Sequence, residues 1–303
     1  MKRSQILAAV MATSMFLSFA LGSSSSGSSD STKAIVGTDD VTEEGVTATT
    51  TEKVSKPTIE EAVVFDEGGI KITAKEYVID SFWGDGIKFL IENETDRNID
   101  VGCSALIVND YMITDLFATE VAAGKKTNET MTLSSSQLKA AGIDVIGQIE
   151  VYFHIYDSDT YDTIKDTDCI TIKTSLYDQM DTKADDSGEV LYDEGGIKII
   201  GKYVNESDFW GSAVLLYVEN NTDKNVTIHA DNVSINGFTF DSAIFSATVF
   251  AGKKAYRDIT LFSSELEENE ITSVDEVSLK FKVLDADSYK EIAKSDEITF
   301  KTK

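Results

Sequence analysis

The run Gln148-Ile149-Glu150-Val151-Tyr152-Phe153-His154-Ile155-Tyr156 alternates apolar with polar or amphipathic residues at a period of two. Side chains of an extended strand point alternately to opposite faces, so Ile149, Val151, Phe153 and Ile155 are expected on one buried face. The pattern returns as Val277, Leu279, Phe281 and Val283, with Ser278, Lys280 and Lys282 between them. Ile87, Phe89 and Ile91 form a further alternating run, answered by Val214, Leu216 and Val218. Their neighbours Leu90 and Leu215 are also apolar, which predicts a strand covered on both faces.

Working outward, the correspondence extends over most of the chain. Phe65-Asp66-Glu67-Gly68-Gly69-Ile70-Lys71-Ile72 matches Tyr192-Asp193-Glu194-Gly195-Gly196-Ile197-Lys198-Ile199. At the same spacing Phe82-Trp83-Gly84 matches Phe209-Trp210-Gly211, and Asn109 matches Asn236. One residue of insertion later, Ala123-Gly124-Lys125-Lys126 matches Ala251-Gly252-Lys253-Lys254, and Asp157, Asp159 and Tyr161 match Asp285, Asp287 and Tyr289. Self-similarity at a fixed spacing marks a duplication. Glycine-rich turns at Gly68-Gly69, Gly84-Asp85-Gly86 and Gly124 punctuate the strands. One short helix per copy is expected: Ser134 to Gln137 has capping-box spacing before Leu138, Gly142 ends it, and Ser264 to Glu267 repeats the spacing. Many short strands with almost no helix predict an all-β fold of two tandem immunoglobulin-like antiparallel β-sandwich domains; a barrel is the alternative.

The boundaries follow from composition. Met1-Lys2-Arg3 and the apolar run Ile6 to Gly22 read as a signal peptide over 1–22, with small residues placed for cleavage before Ser23. Residues 23–61 form a Ser/Thr-rich stalk, too poor in apolar residues to fold. The modules span 62–175 and 189–303. The linker 176–188, with Asp181, Asp185 and Asp186, is expected to repel itself and stay extended.

The blocks Asp-Glu-Gly-Gly-Ile-Lys-Ile, Phe-Trp-Gly, Glu-Asn-x-Thr-Asp-x-Asn, Ala-Gly-Lys-Lys and Asp-x-Asp-x-x-Tyr resemble the telokin-like, immunoglobulin-like family of unknown function found in exported lipoproteins of Gram-positive anaerobes. The resemblance covers 62–175 and 189–303. It implies an immunoglobulin-like sandwich at the cell envelope or outside the cell, and no catalytic residues. Ser23 stands where a lipoprotein signal carries its lipid-bearing cysteine, so membrane attachment is expected only through an uncleaved leader.

Lys and Arg total 27 against 53 Asp and Glu, a net charge of −26, which repels a polyanion and argues against nucleic acid as a partner. Strand phase puts Cys103 inward and Cys169 outward, against a disulfide. Each candidate site has a bland reading beside it. Trp83 and Trp210 are aromatic faces for a sugar ring, or core packing. Lys125, Lys126, Lys253 and Lys254 are two basic pairs for an anionic polymer, or turn residues that keep an edge strand from pairing. Asp157, Asp159 and Asp162 are oxygen ligands for Ca²⁺, the one cofactor considered, but lack the EF-hand glycine and glutamate. His154 and His229 sit at non-equivalent places, and no nucleophile, zinc or P-loop spacing is present. The expected function is therefore a non-enzymatic exported module binding a protein or glycan through loops such as Tyr111–Leu116 and Phe238–Ile244. The alternatives are a glycan hydrolase using paired carboxylates, or a structural spacer.

Overall fold

A computed structural model describes residues 56–80, 84–208, 211–241, 243 and 245–302. Residues 1–55, on which the expected signal peptide and most of the expected stalk fall, and both Trp83 and Trp210 lie outside them. The first copy runs β1 (Ala62–Glu67), β2 (Ile70–Val78), β3 (Gly86–Asn93), β4 (Ile99–Val108), β5 (Tyr111–Ile113), β6 (Ala118–Val121), β7 (Lys126–Thr132), α1 (Ser135–Ala140), β8 (Gln148–Asp157), β9 (Thr163–Asp166) and β10 (Ile170–Lys173). The second repeats it element for element: β11 (Glu189–Glu194), β12 (Ile197–Asp208), β13 (Gly211–Asn220), β14 (Val226–Ile235), β15 (Phe238–Thr239), β16 (Ser246–Val249), β17 (Lys254–Thr260), α2 (Ser263–Glu268), β18 (Glu276–Asp285), β19 (Glu291–Lys294) and β20 (Ile298–Lys301). The fold is all-β, and among the described residues its strand pairs are antiparallel except one.

That exception joins the copies. One sheet is β1-β2-β3-β7, and another is β15-β14-β18-β19 with β16 and β20 attached. Between them runs a ten-stranded sheet ordered β10-β8-β4-β5-β17-β13-β12-β11, with β6 on β4 and β9 on β8. It crosses from the first copy to the second through a parallel pairing of β5 with β17, Tyr111 opposite Lys254 and Met112 opposite Ala255.

Each copy closes its own core between two sheets. In the first, Ile72, Phe89 and Ile91 meet Val101, Phe153 and Ile155, with Phe89 edge-on to Phe153 at 5.3 Å. In the second, Ile199, Leu216 and Val218 meet Ile228, Phe281 and Val283. The alternation read at 149–155 is realised: Ile149, Val151, Phe153 and Ile155 are fully buried and their neighbours are not.

The expectation for 176–188 is corrected. Leu176 is buried, Tyr177–Gln179 forms a 3-10 turn, and Met180 presses against Gly147 so closely that a Cβ there would lie 2.6 Å from it. The Lys254 ammonium donates to the Thr182 carbonyl at 2.8 Å, and Lys202 donates to the carbonyls of Asp185 and Ser187. Cations of the second copy thus hold the acidic segment that self-repulsion alone would extend. The helix starts are also corrected. Ser134 makes no capping bond to the helix backbone, and Gln137 instead bonds Thr114 through both its amide oxygen and nitrogen. Gly142 ends α1 at φ +66°, as its spacing implied.

Candidate functional site

The repeated Gly-Lys-Lys has opposite fates in the two copies. After Gly124, Lys125 and Lys126 are exposed, and Lys126 lies 3.7 Å from Glu92. After Gly252, the Lys253 ammonium is 2.8 Å from Asp110 and 2.5 Å from Glu150, both in the first copy. Burial acts to lower the Lys253 pKa, but the two carboxylates outweigh it and the net shift is upward. Lys254 lies 5.5 Å from the Tyr111 ring centre. Lys253 and Lys254 are therefore not a surface pair for an anionic polymer. Nor do they keep an edge from pairing, since β17, the strand that follows them, pairs with β5, whereas β7, the strand that follows Lys125, ends its sheet.

Apolar residues complete this junction. Tyr111 stacks on Tyr256 at 6.0 Å, Tyr217 lies 5.4 Å from Tyr256, and Tyr152 meets Phe250 edge-on at 5.1 Å. Burial first, and then Glu219 and the linker carboxylates, push the Tyr111 hydroxyl up to about 12. The loop Tyr111–Leu116, expected at the surface, is thus buried from Tyr111 to Ile113, whereas Leu116 is exposed. In the second copy Phe238 is half exposed, and Ile244 lies outside the described residues.

The acidic loop organises itself. One Asp157 carboxylate oxygen accepts from the amides of Asp159 at 3.0 Å and Thr160 at 3.1 Å, and the other lies 3.4 Å from Arg97. These donors, Thr160 foremost, hold its pKa below the usual carboxylate range. Asp285 repeats the arrangement with Ser288 and Lys224. Asp159 and Asp162 do not converge on Asp157, and no cluster of three or more His, Cys, Asp or Glu suited to a metal is found among the described residues. Both thiols are free: Cys103 packs on the core and Cys169 is exposed beside Glu150. His154 pairs with Asp166.

Among the described residues lies a concavity that the sequence reading did not single out. In the first copy a cavity of about 500 Å³ opens between the end strands β1 and β10, over Ile59, Ala62, Val64, Ala74 and Ile172. Its rim is closed at one side, where the Ser175 amide donates to the Thr58 carbonyl at 2.8 Å. The same seam in the second copy measures about 110 Å³. There Phe300 takes the place of Ile172 and is buried over Gly201, which takes the place of Ala74. The Phe300 ring would lie 3.7 Å from a Cβ on Gly201. Gly188, in place of Glu61, lets the backbone close in as well, because a Cβ there would sit 2.4 Å from the Gly201 carbonyl oxygen. Glu61 instead pairs with Lys75 at the surface. The signal was present in the divergence of the copies at Glu61/Gly188, Ala74/Gly201 and Ile172/Phe300.

These features define an all-β protein with a fused duplication and one open lateral seam. Comparison with family models finds none that matches the chain, and comparison with curated proteins finds none similar to it. No helix among the described residues is long and apolar enough to cross a membrane.

Proposed function

We infer that this chain is an exported, non-enzymatic binding protein of the cell envelope or its surroundings, built from two immunoglobulin-like modules that act as one rigid arm. Export rests on the basic start and apolar run of residues 1–22, and the module type on the repeated blocks. The observation that carries the binding role is the asymmetry of the seam. The sister copy seals it with Phe300, while the first leaves a cavity of about 500 Å³, within the roughly 300–1,000 Å³ of ligand sites. The test is a screen of the chain against cell-wall glycans, host glycans and envelope proteins by biolayer interferometry. Saturable binding in one class is expected. Silence in every class would leave the spacer role, which the continuous ten-stranded sheet favours.

A further inference from the structure

We propose that Lys253 and Asp110 condense to an amide, with Glu150 carrying the protons, so that the two copies become covalently joined at their junction. The Lys253 nitrogen lies 2.8 Å from an Asp110 carboxylate oxygen and 2.5 Å from one of Glu150. One contact brings an amine to a carboxyl group, and the other sets a second carboxyl beside the same nitrogen. The main chain holds both reacting groups in place. The Lys254 amide donates to the Asp110 carbonyl, the Lys253 amide to Phe250 and the Asn220 amide to the Lys253 carbonyl, each at 3.0 Å. Fixing of this kind gives effective concentrations of about 10⁵–10⁸ M in well-oriented cases, which favours an amide that separate amines and acids do not form in water. The sister copy has no such triad: Gly237 and Ser278 stand where Asp110 and Glu150 are, and Lys125 faces solvent.

The ion pair in the structure is the state before reaction, with Lys253 held as the ammonium by its two carboxylates. Glu150 passes one proton from that ammonium to the Asp110 carboxylate, and the freed amine attacks its carbon to form the C–N bond. Glu150 then takes a second proton from the nitrogen and delivers it to the departing hydroxyl, so the C–O bond breaks and one water leaves. Charge balances, because a cation and an anion become a neutral amide and Glu150 ends as the carboxylate it began as. Lys253 and Glu150 are mostly shielded, whereas Asp110 keeps 36% of its side chain exposed, an exit for that water. Among the described residues the shared sheet crosses between copies through two residue pairs, Tyr111 with Lys254 and Met112 with Ala255. The amide adjoins this short crossing and links positions 143 residues apart, which removes conformations from the unfolded chain. The bond is independent of any ligand.

The test is intact-mass spectrometry of the full chain, its first residue fixed by N-terminal sequencing, held at neutral pH until the mass is constant. The chain should weigh one water less than its sequence, and a tryptic digest should hold a branched peptide joining Asp110 to Lys253. Lys253→Arg keeps the cation without the nucleophile, and Glu150→Gln keeps the shape without the base. Both should have the full sequence mass and still unfold cooperatively, and the parent should run ahead of Lys253→Arg on a denaturing gel because its closed loop is more compact. The parent mass is decisive without any variant: a parent at full sequence mass overturns the bond. So does a water lost equally from Lys253→Arg, which would place the loss elsewhere, as at Asp85-Gly86. A branch from Lys253 to Glu150 would overturn Asp110 as the acceptor, and full conversion in Glu150→Gln would overturn Glu150 as the proton carrier.

Discussion

Lys125 and Lys253 follow the same Ala-Gly turn, and their main chains make the same bond: each carbonyl accepts from the asparagine amide that ends the neighbouring strand, Asn93 or Asn220. Their side chains differ only in what faces them. Lys253 has 18% of its side chain exposed, between Asp110 and Glu150, whereas Lys125 faces solvent. Truncating Lys253 leaves two carboxylates close together and partly desolvated. A Lys253→Ala variant should lose about 1–3 kcal/mol in urea unfolding, a range lowered because Asp110 keeps some solvent. Lys125→Ala should stay within about 0.5 kcal/mol of the parent. Equal effects would mean that the Asp110–Lys253–Glu150 contact adds nothing to folding. The identity of these lysines is plain in the sequence, but their opposite environments are not, because Asp110 and Glu150 are far from Lys253 along the chain.

At the scale of elements, the hairpin of β4 and β5 does most to join the copies. Its turn residues Asn109 and Asp110 both have positive φ, 47° and 71°, the geometry of a tight two-residue hairpin turn. Asn236 and Gly237 repeat it at 50° and 84°. Asparagine is needed for more than its tolerance of that backbone. The Asn109 amide group donates to the Val145 carbonyl at 2.6 Å, and its oxygen accepts from the amides of Gly147 and Gln148. Asn236 bonds Ser273, Asp275 and Glu276 in the same way. Asn109→Ala should cost about 2–4 kcal/mol in chemical denaturation, from orphaned backbone groups and left-handed strain. Asp110→Gly should leave the hairpin intact, as Gly237 does in the sister, while removing a partner of Lys253. A destabilisation as large as that of Asn109→Ala would show that the turn depends on Asp110 itself. Strand identity and the matching of the two asparagines were legible from alternation and repetition. The capping-box spacing at Ser134 does not become a capping box, because Gln137 has a tertiary partner in Thr114 in place of the local bond.

At the scale of the whole molecule, the copies diverge where they meet. On the second copy's outer face Ile200, Leu215, Tyr217 and Tyr256 are buried; the first copy has Thr73, Lys88, Leu90 and Asn128 at those places. On the first copy's facing surface are Ala105, Ile107 and Tyr152, for which the second has Asn232, Ser234 and Lys280. The faces that meet at the internal junction are thus apolar, whereas their outward equivalents are polar apart from Leu90. Unfolding should be a single cooperative transition, and Tyr256→Ala should split it in two by uncoupling the copies, as monitored by calorimetry. A single transition in that variant would show that the tyrosine cluster does not couple them. The junction should also loosen in alkali. Tyr111 is raised from the ordinary tyrosine value near 10 to about 12, and Lys253 is raised too. A group whose folded pKa is raised contributes fully below its unfolded pKa and loses that contribution as pH climbs through the folded one. The loss should therefore develop from about pH 10 towards 12, and Tyr111→Phe should blunt it in a pH series of melts.

By itself the sequence determined the strand period, the duplication, the matching of Asn109 with Asn236 and the separate phases of Cys103 and Cys169. All of these depend on local geometry or on comparison along one chain. Tertiary structure alone decided that the copies share a sheet, that the acidic linker is held by Lys202 and Lys254, and that the first seam is open. The reason is physical. Whether an exposed-looking face is covered, or a gap is filled, depends on side chains distant in sequence whose packing no local pattern encodes.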